Sequence, residues 1–153
     1  MEMFLRESLL HQYEEILSLV KDLPKEFVLT QHIPEKWSIH QHLAHLGRYQ
    51  EVFLKRMEKI LLEDTPDVGR YSSENDPGFQ NWVDLPTQEI ISKTQAFRKE
   101  FSRQLISLSP ETLLRAGTHP VFGIMKLEEW LHFFILHEKH HIYTIFRLIM
   151  RFR

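Results

Sequence analysis

Apolar residues recur along this chain at spacings of three and four, which is the period of an α-helix. Breakers separate four such stretches, and their limits predict helices over residues 4–22, 38–63, 87–108 and 126–149. No stretch alternates polar and apolar residues for long enough to indicate a β-sheet. Amphipathic helices of about 20 residues pack most simply against one another. The pattern therefore predicts an all-α fold, an antiparallel four-helix bundle.

The second and third predicted helices are joined by a long connection, from residue 64 to about residue 85. Helix connections in bundles usually have roughly 2–8 residues. This one carries Tyr71, Phe79 and Trp82, so we expect it to pack back onto the bundle. A second segment, 117–123, is expected to be irregular. The length of 153 residues is that of one ordinary domain, and we expect a single domain over 1–153.

Helix starts are indicated by residues that cap helices. Ser38 is a favourable N-cap, and Trp37 before it is placed to pack against the first turn. Thr87 follows Pro86 and is predicted to cap the third helix. Ser109 and Pro110 predict a short extra helical turn, with the serine as its N-cap.

Composition excludes several classes of protein. Lys plus Arg number 19 and Asp plus Glu number 21, which gives a formal net charge of −2 and no basic surface typical of nucleic-acid binding. The basic residues near the C-terminus are interpreted as complementing the helix dipole rather than as binding phosphate: Arg147, Arg151 and Arg153. Charged residues near the N-terminus exclude a signal peptide, and no apolar run is long enough to span a membrane. The lack of cysteine removes thiolate chemistry and fits a cytoplasmic location, which we expect.

The chain contains ten histidines, and two of them share one face of the last helix. His137 and His141 are four residues apart, and both fall in the apolar stripe that includes Trp130 and Leu148. Two buried imidazoles pointing to one place favour a metal ion, since neutral imidazole is a common metal ligand. The alternative is a pair of core histidines that bond separately to backbone or water. Spacing alone leaves both interpretations open.

A third ligand would have to come from the second helix, which offers His40, His42 and His45. On a helical wheel, His42 lies nearer the middle of the apolar stripe and His45 lies on its flank. Periodicity therefore favours His42 slightly, and the choice between the two stays open at this point.

Three motifs, taken in order, resemble those of the DinB-like, YfiT-related superfamily. The segment 37–46 reads WSIHQHLAHL, and the stretch 117–123 reads GTHPVFG and is followed by LEEW at 127–130. The run 137–141 reads HEKHH, which is similar to the H-x-x-H-H ligand motif of that family. The resemblance covers nearly the whole chain.

This resemblance implies that His45, His137 and His141 bind one divalent metal ion, with zinc and nickel as the main candidates. It makes His42 a neighbour or a bystander. His140 is a candidate for the entrance of the site or for its surroundings. The other histidines are expected on the surface or in loops: His11, His32, His40, His119 and His132.

Three histidines leave at least one coordination position open, as in catalytic sites. The expected function is a metal-dependent hydrolase or a thiol-dependent S-transferase acting on a small molecule, with a low-molecular-weight thiol as one candidate substrate. The alternatives are a non-catalytic metal- or ligand-binding module of a stress response, and a bundle with no metal. Four acidic residues are candidates for a role near the site: Glu74, Asp76, Asp84 and Glu138.

We also expect a homodimer, because the family that the chain resembles commonly forms one. Aromatic and apolar residues at outer positions are the candidates for its interface: Leu9, Phe146 and Phe152.

Overall fold

The computed structural model describes all residues from 1 to 153. Its helices are α1 (Met3–Val20), α2 (Lys25–Leu29), α3 (Ile39–Leu62), α4 (Pro77–Val83), α5 (Thr87–Ile106), α6 (Pro110–Leu113) and α7 (Leu127–Phe152). Two strands, β1 (Ala116–His119) and β2 (Gly123–Lys126), and a 3-10 turn at Ser73–Asn75 complete the structure. None of the helices has the length and apolar character needed to cross a membrane.

The four long helices form the bundle that the apolar pattern predicts, which confirms the all-α fold. Helix α3 packs against α5 and α7, and α1 packs against the same two helices. Buried side chains fill the bundle in two clusters along its length. One includes Phe53, Trp130 and Phe134, and the other includes Leu43 and Ile145.

Two of the three predicted caps are confirmed. The hydroxyl of Ser38 accepts a hydrogen bond from the backbone N–H of Gln41, and the Gln41 side-chain oxygen accepts one from the Ser38 backbone N–H. The hydroxyl of Ser109 caps α6 by accepting a hydrogen bond from the backbone N–H of Thr112. The prediction for Thr87 is wrong, because Pro86 holds the N-cap position and Thr87 is the first helical residue. Its hydroxyl instead lies 2.8 Å from Nδ1 of His40.

The connection between α3 and α5 packs onto the bundle through its aromatic residues, as expected. Phe79 and Trp82 of α4 are buried. Trp82 lies so close to Gly47 of α3 that an added Cβ would meet its ring at 2.3 Å, so the approach of α4 to α3 requires glycine there. Asp76 caps α4 and accepts two hydrogen bonds from Arg48, at 2.7 and 3.1 Å.

The segment 117–123 is not irregular, and this prediction is wrong. Strands β1 and β2 pair as an antiparallel hairpin, with Ala116 opposite Lys126. Each strand has only four residues, too few to show an alternating pattern in the sequence. Backbone hydrogen bonds between Thr118 and residues 66 and 68 fasten the long connection to this hairpin.

Candidate metal centre

The three histidines that the family resemblance selects come together between α3 and α7. Nε2 of His137 lies 3.0 Å from Nε2 of His45 and 3.2 Å from Nε2 of His141. Possible ligand atoms of all three residues lie within 4.8 Å of one another. Helix α7 supplies two of them, one turn apart, and α3 supplies the third.

The donor set fits a divalent ion. Two nitrogens bound to one tetrahedral ion at about 2.0–2.1 Å are about 3.3 Å apart, close to the observed spacings. A single hydrogen on Nε2 of His137 could serve only one of its two neighbours, so lone pairs face one another in this cluster. A divalent ion placed among the three nitrogens would accept one lone pair from each of them.

The same imidazoles are in the neutral form that binds metal. Burial lowers the pKa of His45 and of His137 to about 3, and that of His141 to about 2. Neighbouring imidazoles lower each pKa further, because a second positive charge nearby is unfavourable. The three side chains are therefore uncharged at neutral pH, and none has to lose a second proton before it binds an ion.

His42 is not one of the three converging histidines, but it contacts the imidazole of His141. Its Nδ1 lies 2.9 Å from Nδ1 of His141. If His141 uses Nε2 as a ligand, its Nδ1 carries the hydrogen and donates to His42. His42 is thus a neighbour that can orient His141. Nδ1 of His45 and of His137 has no protein partner.

Aromatic rings surround the cluster. Trp37, from the turn before α3, has its ring 5.0 Å from that of His45 and is stacked 6.1 Å from that of His141. The ring of Tyr49 lies 4.0 Å from that of His137. These rings exclude water from the sides of the cluster, which strengthens electrostatic interactions inside it.

Two cavities meet at the cluster and leave it accessible. A cavity of about 800 Å³ is lined by His45 and His137. Another, of about 520 Å³, is lined by His42 and His141, and His140 also lines it. Trp37 and Glu74 line both cavities, so a ligand can approach from two sides.

Of the four acidic candidates, only Glu74 lines these cavities. Asp76 is engaged by Arg48, and Asp84 accepts a hydrogen bond from Gln80. Glu138 is buried and paired with Arg98 and Gln12, so it serves the interior of the bundle.

Two histidines expected on the surface or in loops are buried, and for them the prediction is wrong. His40 lies 2.8 Å from both the Val83 carbonyl oxygen and the Thr87 hydroxyl. His119, in β1, accepts hydrogen bonds from the backbone N–H groups of Val121 and Phe122, and it lines the larger cavity. No sequence signal could have placed His119, because its position depends on the hairpin.

The larger cavity also contains a residue that the sequence pattern could have revealed. Arg56 is only 7% exposed and lines this cavity. It follows His45 and Tyr49 on α3 at positions 45, 49 and 56, a helical spacing that places all three on one face.

Comparison with known families matches most of this sequence to one of them. A family model described as the DinB superfamily matches residues 8–145. The chain belongs to the DinB superfamily. The resemblance read from its three motifs is thereby confirmed.

Two other proteins are similar in sequence to most of the chain. A protein of Oceanobacillus iheyensis, provisionally named as a metal-dependent hydrolase, is 24% identical over 146 residues, 93% of this chain and 84% of its own. The uncharacterized protein YuaE of Bacillus subtilis is 27% identical over 126 residues, 71% of this chain and 74% of its own.

Solved structures share the fold. YfiT from Bacillus subtilis, described provisionally as a metal-dependent hydrolase with an unusual four-helix bundle topology, superimposes with a TM-score of 0.80 at 21% identity. That match covers 97% of this chain and 85% of YfiT. An uncharacterized protein from Clostridium difficile 630 gives a TM-score of 0.72 at 15% identity, covering 97% of this chain and 95% of its own. At these identities the likeness shows the fold.

Proposed function

We propose that this DinB-superfamily chain is a metal-dependent hydrolase of a small molecule, with one divalent ion held by His45, His137 and His141. One observation carries the proposal: three neutral imidazole nitrogens converge where two cavities meet. A three-histidine site that opens onto cavities keeps positions for water and substrate, whereas structural metal sites are closed by a fourth protein ligand. The names of the relatives support the same reaction class.

Each surrounding residue has a role in this proposal. A bound divalent ion would supply Lewis acidity, which lowers the pKa of a water or thiol ligand. His42 holds the imidazole of His141 in the tautomer that presents Nε2. Trp37 and Tyr49 shield the cluster from bulk water. Glu74 is the acidic side chain able to accept a proton from either cavity.

Thiol-dependent S-transfer is a second candidate, and the pair of cavities favours it. A transfer reaction has to bring two molecules, a thiol and an electrophile, to one centre. The cavities of about 520 and 800 Å³ reach the histidine cluster from different sides, which gives room for both. A hydrolase needs only one such cavity.

Turnover assays can separate these reactions. Protein loaded with Zn²⁺ or Ni²⁺ would be assayed with ester, amide and alkyl halide substrates, in the presence and absence of low-molecular-weight thiols. Hydrolysis predicts product without thiol, and S-transfer predicts one thiol consumed per product. Activity should disappear in His137→Ala and persist in the surface control His11→Ala. A fully metal-loaded protein without turnover in either assay would contradict the proposal and favour a non-catalytic binding module.

A further inference from the structure

The chain buries two arginines, and only one of them has a carboxylate partner. Arg98 is 3% exposed and forms an ion pair with Glu138. Arg56 is 7% exposed, and no carboxylate lies within 4.0 Å of its guanidinium. Arg56 donates to two neutral acceptors, the Tyr49 hydroxyl at 3.1 Å and the Gly69 carbonyl at 3.0 Å.

An unpaired buried charge is unfavourable, because removal from water costs more than neutral hydrogen bonds return. Arg56 connects α3 to the long connection through Gly69, but a neutral donor could do that without burying a charge. A cation retained in this position is therefore expected to meet a negative charge that the chain itself does not provide.

Arg56 lies in the wall of the larger cavity, on the same side as the histidine cluster. Tyr49 stands between them: the Arg56 Cζ atom is 5.9 Å from the centre of its ring, and the His137 ring centre is 4.0 Å from it. A group bound to Arg56 would thus lie about one aromatic ring away from His137. The distance suits the two ends of one small molecule.

Other donors face the same cavity. Arg70 is an exposed residue that also lines it and also has no carboxylate within 4.0 Å. Ser72 and Ser73 line it from the long connection. The pKa of His119 is lowered by burial and then by Arg56 and Arg70, so both cations act on the same part of the cavity. Glu74 is the one acidic side chain in its lining.

We propose that Arg56, assisted by Arg70, binds the anionic group of the substrate, a carboxylate or a phosphate, while the reactive end of the same molecule reaches the histidine cluster. A guanidinium is suited to this role, because its planar fork of N–H donors matches both anions. The inference rests on the proposed function for the reaction, but the anion site can be tested without it. The substrate class is a small organic anion.

Calorimetric titration with inorganic phosphate and with succinate tests the site, using both metal-loaded and chelator-treated protein. Either anion should bind the wild type and raise its Tm, since a ligand of the native state stabilises it. Arg56→Met should weaken binding about tenfold or more, the effect expected for losing a charged hydrogen bond. Arg70→Gln should weaken it less. The control Lys99→Met, an equal change in charge at an exposed position of α5, should bind as the wild type does. The anion that binds more tightly identifies the substrate's anionic group.

The variant His45→Ala separates this inference from the metal proposal. Anion binding that persists in His45→Ala and still depends on Arg56 would support the anion site even if no metal binds. Binding that requires the metal and is unchanged in Arg56→Met would place the anion on the ion and overturn the inference. Arg56→Lys keeps the charge but lacks the planar fork of donors, so it should bind the anions measurably more weakly than the wild type, and it covers the case in which Arg56→Met fails to fold. Equal affinity in the wild type, Arg56→Lys and Arg70→Gln would also overturn the inference.

Discussion

His42 lies beside the three-histidine cluster without joining it, with its Nδ1 2.9 Å from Nδ1 of His141. The helical wheel made it a possible ligand, and the family resemblance made it a neighbour or bystander. The wheel favours His42 only slightly over His45, because both lie near the apolar stripe of α3. Which of them faces α7 depends on the rotation of one helix against the other, and a single helix does not contain that information.

Replacing His42 by Ala is expected to weaken metal binding without abolishing it. The change removes the acceptor that orients His141, and losses of such partners typically cost about 10- to 100-fold in metal affinity. Competition with a chelator of known affinity would measure the effect, with His132→Ala on α7 as a control. An unchanged affinity would return His42 to the role of bystander, and complete loss would make it a ligand.

The pair on α7 could be predicted from sequence because one helix fixes its geometry. His137 and His141 are one turn apart whatever the rest of the chain does. Arg56 was equally visible as a charged residue on the apolar face of α3, but a sequence does not show whether such a charge is paired. Only the structure shows that Arg98 has a carboxylate partner and that Arg56 has none.

At the scale of elements, the long helices and the packing of the connection between α3 and α5 were predictable, and the hairpin was not. The bundle could be predicted from four apolar stripes, the N-cap at Ser38 and the prolines, because helix periodicity and caps are local signals. The hairpin of β1 and β2 was missed because its stability depends on hydrogen bonds to residues 66 and 68, about fifty residues away. For the same reason, the buried position of His119 in β1 could not be predicted.

One buried polar network joins the four long helices. Glu138 of α7 pairs with Arg98 of α5 and accepts from Gln12 of α1, while Arg98 contacts Gln50 of α3 at 3.3 Å. All four side chains are at most 3% exposed. The network therefore sets the relative positions of the helices that carry the histidine cluster.

Breaking this pair is expected to destabilise the bundle strongly. Arg98→Met leaves the Glu138 carboxylate buried without its cation, and such changes typically cost about 3–5 kcal/mol. The double variant Arg98→Met with Glu138→Leu should recover much of that loss, because apolar residues of similar size often replace buried ion pairs well. Urea unfolding of the single and double variants measures both effects. A loss below about 1 kcal/mol for Arg98→Met would show that water reaches the pair.

For the whole molecule, the homodimer remains a prediction. Leu9 cannot contribute to its interface, since it is completely buried in the bundle. Phe146 is 43% exposed and Phe152 is half-buried. Other large apolar side chains on the outer face of α7 are also exposed: Leu136, Tyr143 and Met150.

The stability of the metal-free protein is expected to fall as the pH drops below about 6.5, the ordinary pKa of histidine. Burial lowers the pKa of His42 to about 4, that of His45 and His137 to about 3, and that of His141 to about 2. The unfolded chain therefore takes up protons from pH 6.5 downwards, while the folded chain does not until far lower pH. Stability is fully present above 6.5 and is lost as the pH falls towards the folded pKa values, by up to about 1.4 kcal/mol per pH unit for each histidine.

Urea midpoints measured between pH 7.5 and pH 4.5 would check this dependence. His45→Ala should show a shallower slope than the wild type, because it has one fewer buried histidine. A midpoint that stays constant down to pH 5 in metal-free wild type would mean that these imidazoles are protonated or solvated in the folded state.

The metal content of purified protein tests the central claim most directly. Wild-type protein would be reconstituted with Zn²⁺ or Ni²⁺, freed of excess ion by gel filtration and measured by elemental mass spectrometry, beside His45→Ala, His137→Ala, His141→Ala and the control His11→Ala. The account predicts one ion per chain in the wild type and in His11→Ala, and far less than one in each of the other three. A wild type without metal, or His45→Ala that keeps a full ion, would contradict it.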